Sequence, residues 1–218
     1  MKYHLIITGF LIVIFQPLFS QEMAYTENGD TVLLYSDGSW EYYDSYMDVS
    51  QNESMEIPEN SNKFSRSKNA TKSVTGKNDM YKIWYNPKEW KRIPVGQINP
   101  EADIAFTFLK GDVYGLTIYE ELEIPIESLI DIALSNAMNV APDMKIKETE
   151  YRDVNGKKMI FMRMDGTTQG MKISYYSYYY SNPKGTVQFH TFTGQNVIDK
   201  HKKSIEELLN GFMAASDE

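Results

Sequence analysis

The side chains that could carry out chemistry in this sequence are two of its three histidines, His190 and His201, and many serines and carboxylates. No histidine pair has the spacing of a metal-binding helix, and catalytic zinc uses about three protein ligands. No nucleophilic serine motif is present, and the segment 166–172 lacks the spacing of a phosphate-binding loop. The sequence therefore predicts no metal site, no cofactor and no catalytic residue, although distant residues could still meet as a triad.

Tyrosine is unusually frequent, with 16 residues, and the run Y-Y-S-Y-Y-Y holds several of them. On a β-strand, Tyr176, Tyr178 and Tyr180 project from one face and the residues between them from the other. One interpretation is a central strand that helices cover on both sides. The other is an exposed tyrosine face that binds a protein or a sugar. On the second interpretation, these tyrosines form a candidate interaction surface together with Trp40 and Tyr42.

The elements that must position these residues follow from local patterns. Alternation of apolar and polar residues predicts strands at 81–85, 102–109, 113–120, 144–154, 157–166, 171–180 and 185–193. Helical spacing of apolar residues predicts helices from 125 to 142 and from 196 to about 214. Consecutive strands joined by tight turns pair antiparallel, so the sequence predicts an α+β fold. It has a sheet of about six to seven strands and two main helices.

The segments before this domain differ from it in composition. Residues 1–20 combine Lys2 with an apolar run and a small residue, Ser20, which is the pattern of a cleaved signal peptide. Residues 21–44 contain two hairpin turn signals and predict a small β-meander. Residues 45–79 are rich in Ser, Asn, Lys and Glu and predict a disordered polar linker before the domain 80–218.

Net charge and cysteine content restrict the function classes. The formal net charge is −8, whereas nucleic-acid-binding proteins usually carry a basic footprint. The chain contains no cysteine, so it has no thiol nucleophile and no thiolate metal site. Beyond the signal peptide no segment is apolar enough to span a membrane. We therefore expect an exported protein, periplasmic or secreted, that binds no nucleic acid.

Several motifs resemble those of known proteins. The segment T-E-N-G-D-T-V-L-L-Y-S-D-G-S-W-E-Y resembles a short hairpin of exported proteins in Gram-negative bacteria, which implies an envelope or secreted setting. Between about residues 80 and 214, four motifs resemble the PsbP-like fold family: Y-K-I-W-Y-N-P-K-E-W, P-I-E-S-L-I-D-I-A-L, V-N-G-K-K and Y-Y-S-Y-Y-Y. This resemblance implies an antiparallel sheet flanked by helices. It also implies a mostly non-catalytic family of assembly factors, accessory subunits and binding proteins.

Three functions remain open from the sequence. The first is a non-catalytic module of the bacterial envelope that binds another envelope or secreted protein. The second is a hydrolase acting on a glycan or peptide, with carboxylates as its only support. The third is a carrier that holds a small ligand between the sheet and a helix. A deep pocket with converging carboxylates would favour the enzyme, an apolar cavity the carrier, and an exposed aromatic patch the protein-binding module. The sequence specifies neither the partner nor the oligomeric state.

Overall fold

A computed structural model describes residues 22–25, 31–34, 38–42 and 57–215 of the chain. The chain divides into two units, Met1–Asn52 and Glu53–Glu218. The predicted signal peptide, residues 1–20, lies outside the described residues. None of the helices in the described ranges combines the length and the apolar composition that crossing a bilayer requires.

The N-terminal unit contains a three-stranded sheet within the region where the sequence predicts a β-meander. Its strands are β1 (Glu22–Tyr25), β2 (Thr31–Leu34) and β3 (Trp40–Tyr42). They pair antiparallel in the order β1-β2-β3. Gly38, between β2 and β3, has a φ of 85°, a backbone conformation that glycine adopts without strain.

The second unit consists of β-strands and two α-helices. Its strands are β4 (Glu59–Phe64), β5 (Lys72–Thr75), β6 (Tyr81–Tyr85), β7 (Trp90–Ile93), β8 (Ile104–Phe108), β9 (Val113–Glu120), β10 (Lys145–Val154), β11 (Lys157–Thr168), β12 (Met171–Asn182), β13 (Gly185–Gly194) and β14 (Phe212–Ala214). Its helices are α1 (Ser128–Val140) and α2 (Gln195–Leu209). The α+β class predicted from the sequence is therefore confirmed.

Eight strands form the main sheet, in the order β4-β10-β11-β12-β13-β9-β8-β7. All neighbours pair antiparallel except β4, which runs parallel to β10 and makes the sheet mixed. A smaller antiparallel sheet has the order β14-β6-β5. The prediction of six to seven antiparallel strands is thus too low, because it omits the edge strands β4 and β7.

The turn between β10 and β11 is the two-residue turn that the sequence predicts. Asn155 and Gly156 have φ values of 51° and 84°, the positive pair that a type I′ hairpin requires. The Asn155 side chain also donates hydrogen bonds to the carbonyls of Asn210, at 2.9 Å, and Phe212, at 2.7 Å. This turn therefore fixes the register of the long central strands and holds the segment that follows α2.

The main sheet is covered on both faces. On one face, α2 and the small sheet enclose the main hydrophobic core, which includes Trp90, Phe106, Phe161, Phe189 and Phe212. On the other face lies α1, whose buried residues are Leu129, Ile130, Ile132 and Ala133. The sheet is the middle layer, so its central strands are apolar on both sides.

The region predicted as a disordered linker is part of the fold wherever it is described. Strands β4 and β5 lie within it, so the prediction is wrong for residues 57–79, while residues 45–56 lie outside the described residues. The polar composition predicts disorder, but β4 is ordered because it pairs through its backbone with β10 and forms polar contacts. One of these is a hydrogen bond of 2.9 Å from Asn60 to Glu150. Phe64 is its one aromatic residue, and it packs against the core.

Helix α2 ends five residues before the predicted end, at Leu209 rather than 214. The chain turns at Gly211, whose carbonyl accepts a hydrogen bond of 2.8 Å from the Trp84 amide, and continues as β14. A Cβ at Gly211 would lie 1.8 Å from the Trp84 carbonyl oxygen, so this approach requires glycine. Phe212 is fully buried as part of β14, and its apolar side chain continues the helical spacing of α2 past the true end of the helix.

Candidate functional site

The three tyrosines that the sequence proposes as an interaction surface lie on the α2 face of β12. Tyr176, Tyr178 and Tyr180 are 1%, 0% and 5% exposed. They pack in one core with the apolar stripe of α2, which consists of Ile198, Ile205, Leu208 and Leu209. The prediction of an exposed tyrosine face is wrong, because an amphipathic helix covers it. The alternative interpretation, a central strand covered by helices, describes β12.

The hydroxyl groups of these buried tyrosines have partners within the core. Tyr178 donates a hydrogen bond of 2.7 Å to Asn210 Oδ1 and accepts one of 3.2 Å from Arg152 Nη1. Burial raises the pKa of Tyr178 to about 12. Tyr180 accepts a hydrogen bond of 3.2 Å from Asn182. These contacts give Tyr178 and Tyr180 a structural role, since a buried hydroxyl without a partner would be destabilising.

Replacing Tyr178 with phenylalanine should reduce the free energy of unfolding by about 1–2 kcal/mol, because Arg152 and Asn210 lose a buried partner. Urea unfolding at neutral pH measures this change. Tyr114→Phe is the control, since the Tyr114 hydroxyl forms no hydrogen bond with any described residue, and should change the free energy by under about 0.5 kcal/mol. Equal effects of the two changes would contradict the assigned role.

The remaining predicted surface residues, Trp40 and Tyr42, belong to β3 of the N-terminal unit. Trp40 is 56% exposed. The tyrosine run lies in the other unit. An interaction role for Trp40 and Tyr42 stays a prediction.

A cavity of about 630 Å³ lies between α1 and the other face of the main sheet. We call it the α1 pocket. The sheet contributes Tyr114, Leu116, Ile118, Tyr175, His190 and Phe192 to its lining. Helix α1 contributes Ala133, Asn136, Ala137 and Val140. The two alanines lie one helical turn apart on the same helix face, and their small side chains leave space above the sheet.

An aromatic wall runs across the sheet side of the α1 pocket. It is formed by Tyr114, Phe192, Tyr175 and His190, which come from three neighbouring strands. The rings of Tyr114 and Phe192 stack with centroids 5.5 Å apart, and the ring of Tyr175 lies 5.7 Å from that of Phe192. Such rings offer a flat, rigid surface on which an apolar ligand can lie.

One lining residue of the α1 pocket, His190, contacts a buried serine. Ser177 Oγ and His190 Nδ1 share a hydrogen bond of 2.9 Å, and burial lowers the pKa of His190 to about 4. Ser177 is 0% exposed, and within the described ranges no carboxylate hydrogen-bonds to His190. A nucleophilic serine must reach its substrate, and its histidine base is oriented by a third group. The pair therefore lacks the features of a catalytic dyad. The hydrogen bond with Ser177 instead fixes the orientation of the His190 imidazole.

Two carboxylates lie on the lining of the α1 pocket, at Glu101 and Glu120. The pKa of Glu120 is raised, mainly by loss of hydration and secondly by the negative charge of Glu101. A hydrogen bond from Gln188 acts in the opposite direction and lowers this pKa. Both carboxylates line the same cavity, so their like charges repel one another there. No lysine or arginine is among the described residues that line the pocket, so this part of the pocket is negative.

Sequence reasoning did not identify this pocket. It placed His190 on a strand and Tyr175 on the face opposite Tyr176, and both placements are confirmed. It did not assign either residue to a site. The available signal was the alternation along β9, where Tyr114, Leu116 and Ile118 share one face. In the part of the chain that the structure describes, no group of three or more His, Asp or Glu residues could hold a metal ion.

Comparison with known proteins gives no match at the level of sequence families. No family model matches the chain, and no curated protein matches it. The similarity found is to solved structures of low sequence identity, which reveals fold and not activity.

Three solved structures illustrate this similarity. The solution structure of cyanobacterial PsbP (CyanoP) from Synechocystis sp. PCC 6803 has a TM-score of 0.50 and 16% identity, covering 66% of this chain and 92% of that chain. LpqN of Mycobacterium tuberculosis, described as involved in cell envelope biogenesis, has a TM-score of 0.48 and 7% identity over 66% and 90%. The Saccharomyces cerevisiae Ran-binding protein Mog1p has a TM-score of 0.46 and 6% identity over 66% and 94%. As its motifs predict, this chain has a PsbP-like fold.

Proposed function

We propose that the protein is an exported, non-catalytic binding module that holds a small organic molecule in the α1 pocket. The observation that carries this proposal is the cavity of about 630 Å³ between α1 and the sheet. Cavities of roughly 300–1,000 Å³ with mostly apolar walls and a few polar groups are typical of small-molecule sites. Export rests on the signal-peptide pattern of residues 1–20. The PsbP-like resemblance supports a binding or accessory role in the envelope.

The contents of the α1 pocket favour binding over catalysis. Its one histidine has a pKa of about 4, far from the value that a general base needs near neutral pH. The serine beside it is buried beneath the wall. A partner protein, if the module has one, must use another surface than Tyr176, Tyr178 and Tyr180, because these residues are internal. Binding of a small molecule therefore has the stronger support of the two non-catalytic functions.

Binding in the α1 pocket can be tested with N-phenyl-1-naphthylamine, an uncharged dye that fluoresces in apolar sites. We expect saturable binding to the purified protein with a Kd on the order of 10–100 μM, the affinity that ligands of this size commonly reach. Asn136→Phe, which places a large ring at the pocket lining, should weaken binding at least about tenfold. Fluorescence titration of both proteins measures these values.

The matched control is Asn139→Phe. It makes the same change at an exposed residue of the same helix that does not line the pocket. This variant should keep the wild-type Kd, and circular dichroism should show all three proteins folded. If the wild-type protein does not bind the dye saturably, or if both variants bind it equally, the proposed function fails.

A further inference from the structure

The charges around the α1 pocket are unbalanced. Glu101 and Glu120 are both lining residues, and neither forms an ion pair with any residue in the described ranges. The other polar groups that line the pocket are amides, hydroxyls and one imidazole. The imidazole of His190 is neutral at pH 7, because burial lowers its pKa to about 4. The protein itself therefore provides no positive charge at this lining.

The two carboxylates come from different parts of the chain. Glu120 ends β9, and Glu101 lies in the loop that precedes β8. Strands β8 and β9 are adjacent and antiparallel, which brings the start of β8 beside the later part of β9. Mutual repulsion of two unpaired carboxylates is unfavourable, and a cation between them would relieve it.

The aromatic wall is compatible with the same kind of ligand. Tyr114, Tyr175 and Phe192 are only partly buried, so their rings are accessible from the pocket. The face of an aromatic ring carries partial negative charge and attracts ammonium groups. Opposite the wall, Ala133, Ala137 and Val140 supply an aliphatic surface. A ligand that uses all of these features has a flat apolar body and a positive charge.

We propose that the α1 pocket selects organic cations: its ligand places an apolar or aromatic body between the aromatic wall and α1, and an ammonium group beside Glu101 and Glu120. This inference rests on the proposed function and specifies the chemical class of the ligand. Anionic amphiphiles such as fatty acids are disfavoured, because the same two carboxylates repel them.

The test uses three probes that share a naphthalene ring and differ in charge: 1-naphthylmethylamine, 1-naphthylmethanol and 1-naphthylacetate. Each competes with N-phenyl-1-naphthylamine for the wild-type protein at pH 7.5 and low salt. We expect the protonated amine to bind about fivefold more tightly than the alcohol and at least about tenfold more tightly than the carboxylate. Added salt should reduce both preferences, because the carboxylates are partly solvated.

The variant Glu101→Gln/Glu120→Gln removes both charges and keeps the side-chain shapes. Its preference for the amine over the alcohol should fall below about twofold. The preference is a ratio of two competition constants measured on the same variant, so any change in its affinity for N-phenyl-1-naphthylamine cancels. Glu121→Gln/Glu123→Gln is the control. All four glutamates are exposed, but Glu121 and Glu123 lie outside the lining, so this variant removes the same charge and should keep the wild-type preference.

The outcomes separate this inference from the proposed function. Equal binding of the three probes, a preference for the carboxylate, or a preference that the control variant also loses overturns the selection of cations. Each of these results leaves the proposed function intact as long as N-phenyl-1-naphthylamine binds in the pocket. If the wild-type protein does not bind that dye, both conclusions fail.

Discussion

Replacing Arg152 with alanine should lower the free energy of unfolding by about 3–5 kcal/mol, because the change breaks a buried ion pair. The Arg152 side chain is 5% exposed, and its Nε lies 2.5 Å from Glu150 Oε1. Its guanidinium stands 3.6 Å from the ring centre of Phe161 and 4.4 Å from that of Phe64. Alanine would leave Glu150 without this partner and open a cavity between the two rings.

Arg152 also contributes to the attachment of β4 to the main sheet. Phe64 ends β4, and its ring packs on the guanidinium that Phe161 contacts from β11. In Arg152→Ala, limited proteolysis should therefore cut within 57–64 faster than in the wild-type protein. Such cleavage would show that the buried contact with Arg152 adds to the backbone pairing that holds this polar segment.

The control for Arg152→Ala is Lys110→Ala. Lys110 forms a 2.9 Å ion pair with Glu89, but its side chain is largely exposed, and exposed pairs contribute about 0–1 kcal/mol. Urea unfolding of the three proteins at pH 7.5 gives the comparison. A loss below about 1.5 kcal/mol in Arg152→Ala, or the same loss in both variants, would show that the buried pair does not hold the sheet together.

Much of the fold could be predicted because the signals are local. Strand β9 matches its predicted bounds of 113–120, and the Asn155-Gly156 turn has the predicted conformation. Alternation and turn chemistry depend only on neighbouring residues, so a sequence displays them directly. Strands β4 and β5 could not be predicted in this way, because they are polar and are held by pairing with other strands: β4 with the distant β10, and β5 with the following strand β6.

The site could not be predicted because it depends on tertiary packing. Both faces of β12 are aromatic, and only the position of α2 decides that Tyr176 is internal while Tyr175 lines the pocket. The α1 pocket combines the loop before β8, strands β9, β12 and β13, and helix α1. No local pattern connects segments so far apart in the chain.

The stability of the protein should fall in mild acid because of His190. Its pKa is about 4 in the folded protein and 6.5 in the unfolded chain, so between these values the unfolded state binds more protons. Stability from this residue is fully present above about pH 6.5 and decreases as the pH falls toward 4. We expect a loss of about 2 kcal/mol between pH 7.5 and pH 5 relative to His190→Gln, which cannot titrate there.

Comparison with His190→Gln isolates this effect from the other titrating groups. Glu120 has a raised pKa and therefore changes stability in the opposite direction, but it is present in both proteins and its contribution cancels. Glutamine can retain a hydrogen bond to Ser177, and any constant packing loss is removed by taking the difference at each pH. Urea unfolding at pH 5 and pH 7.5 provides the four free energies. If the two proteins lose stability in parallel, His190 is not buried as a neutral imidazole. The pocket would then carry a positive charge in mild acid, where an organic cation would be repelled.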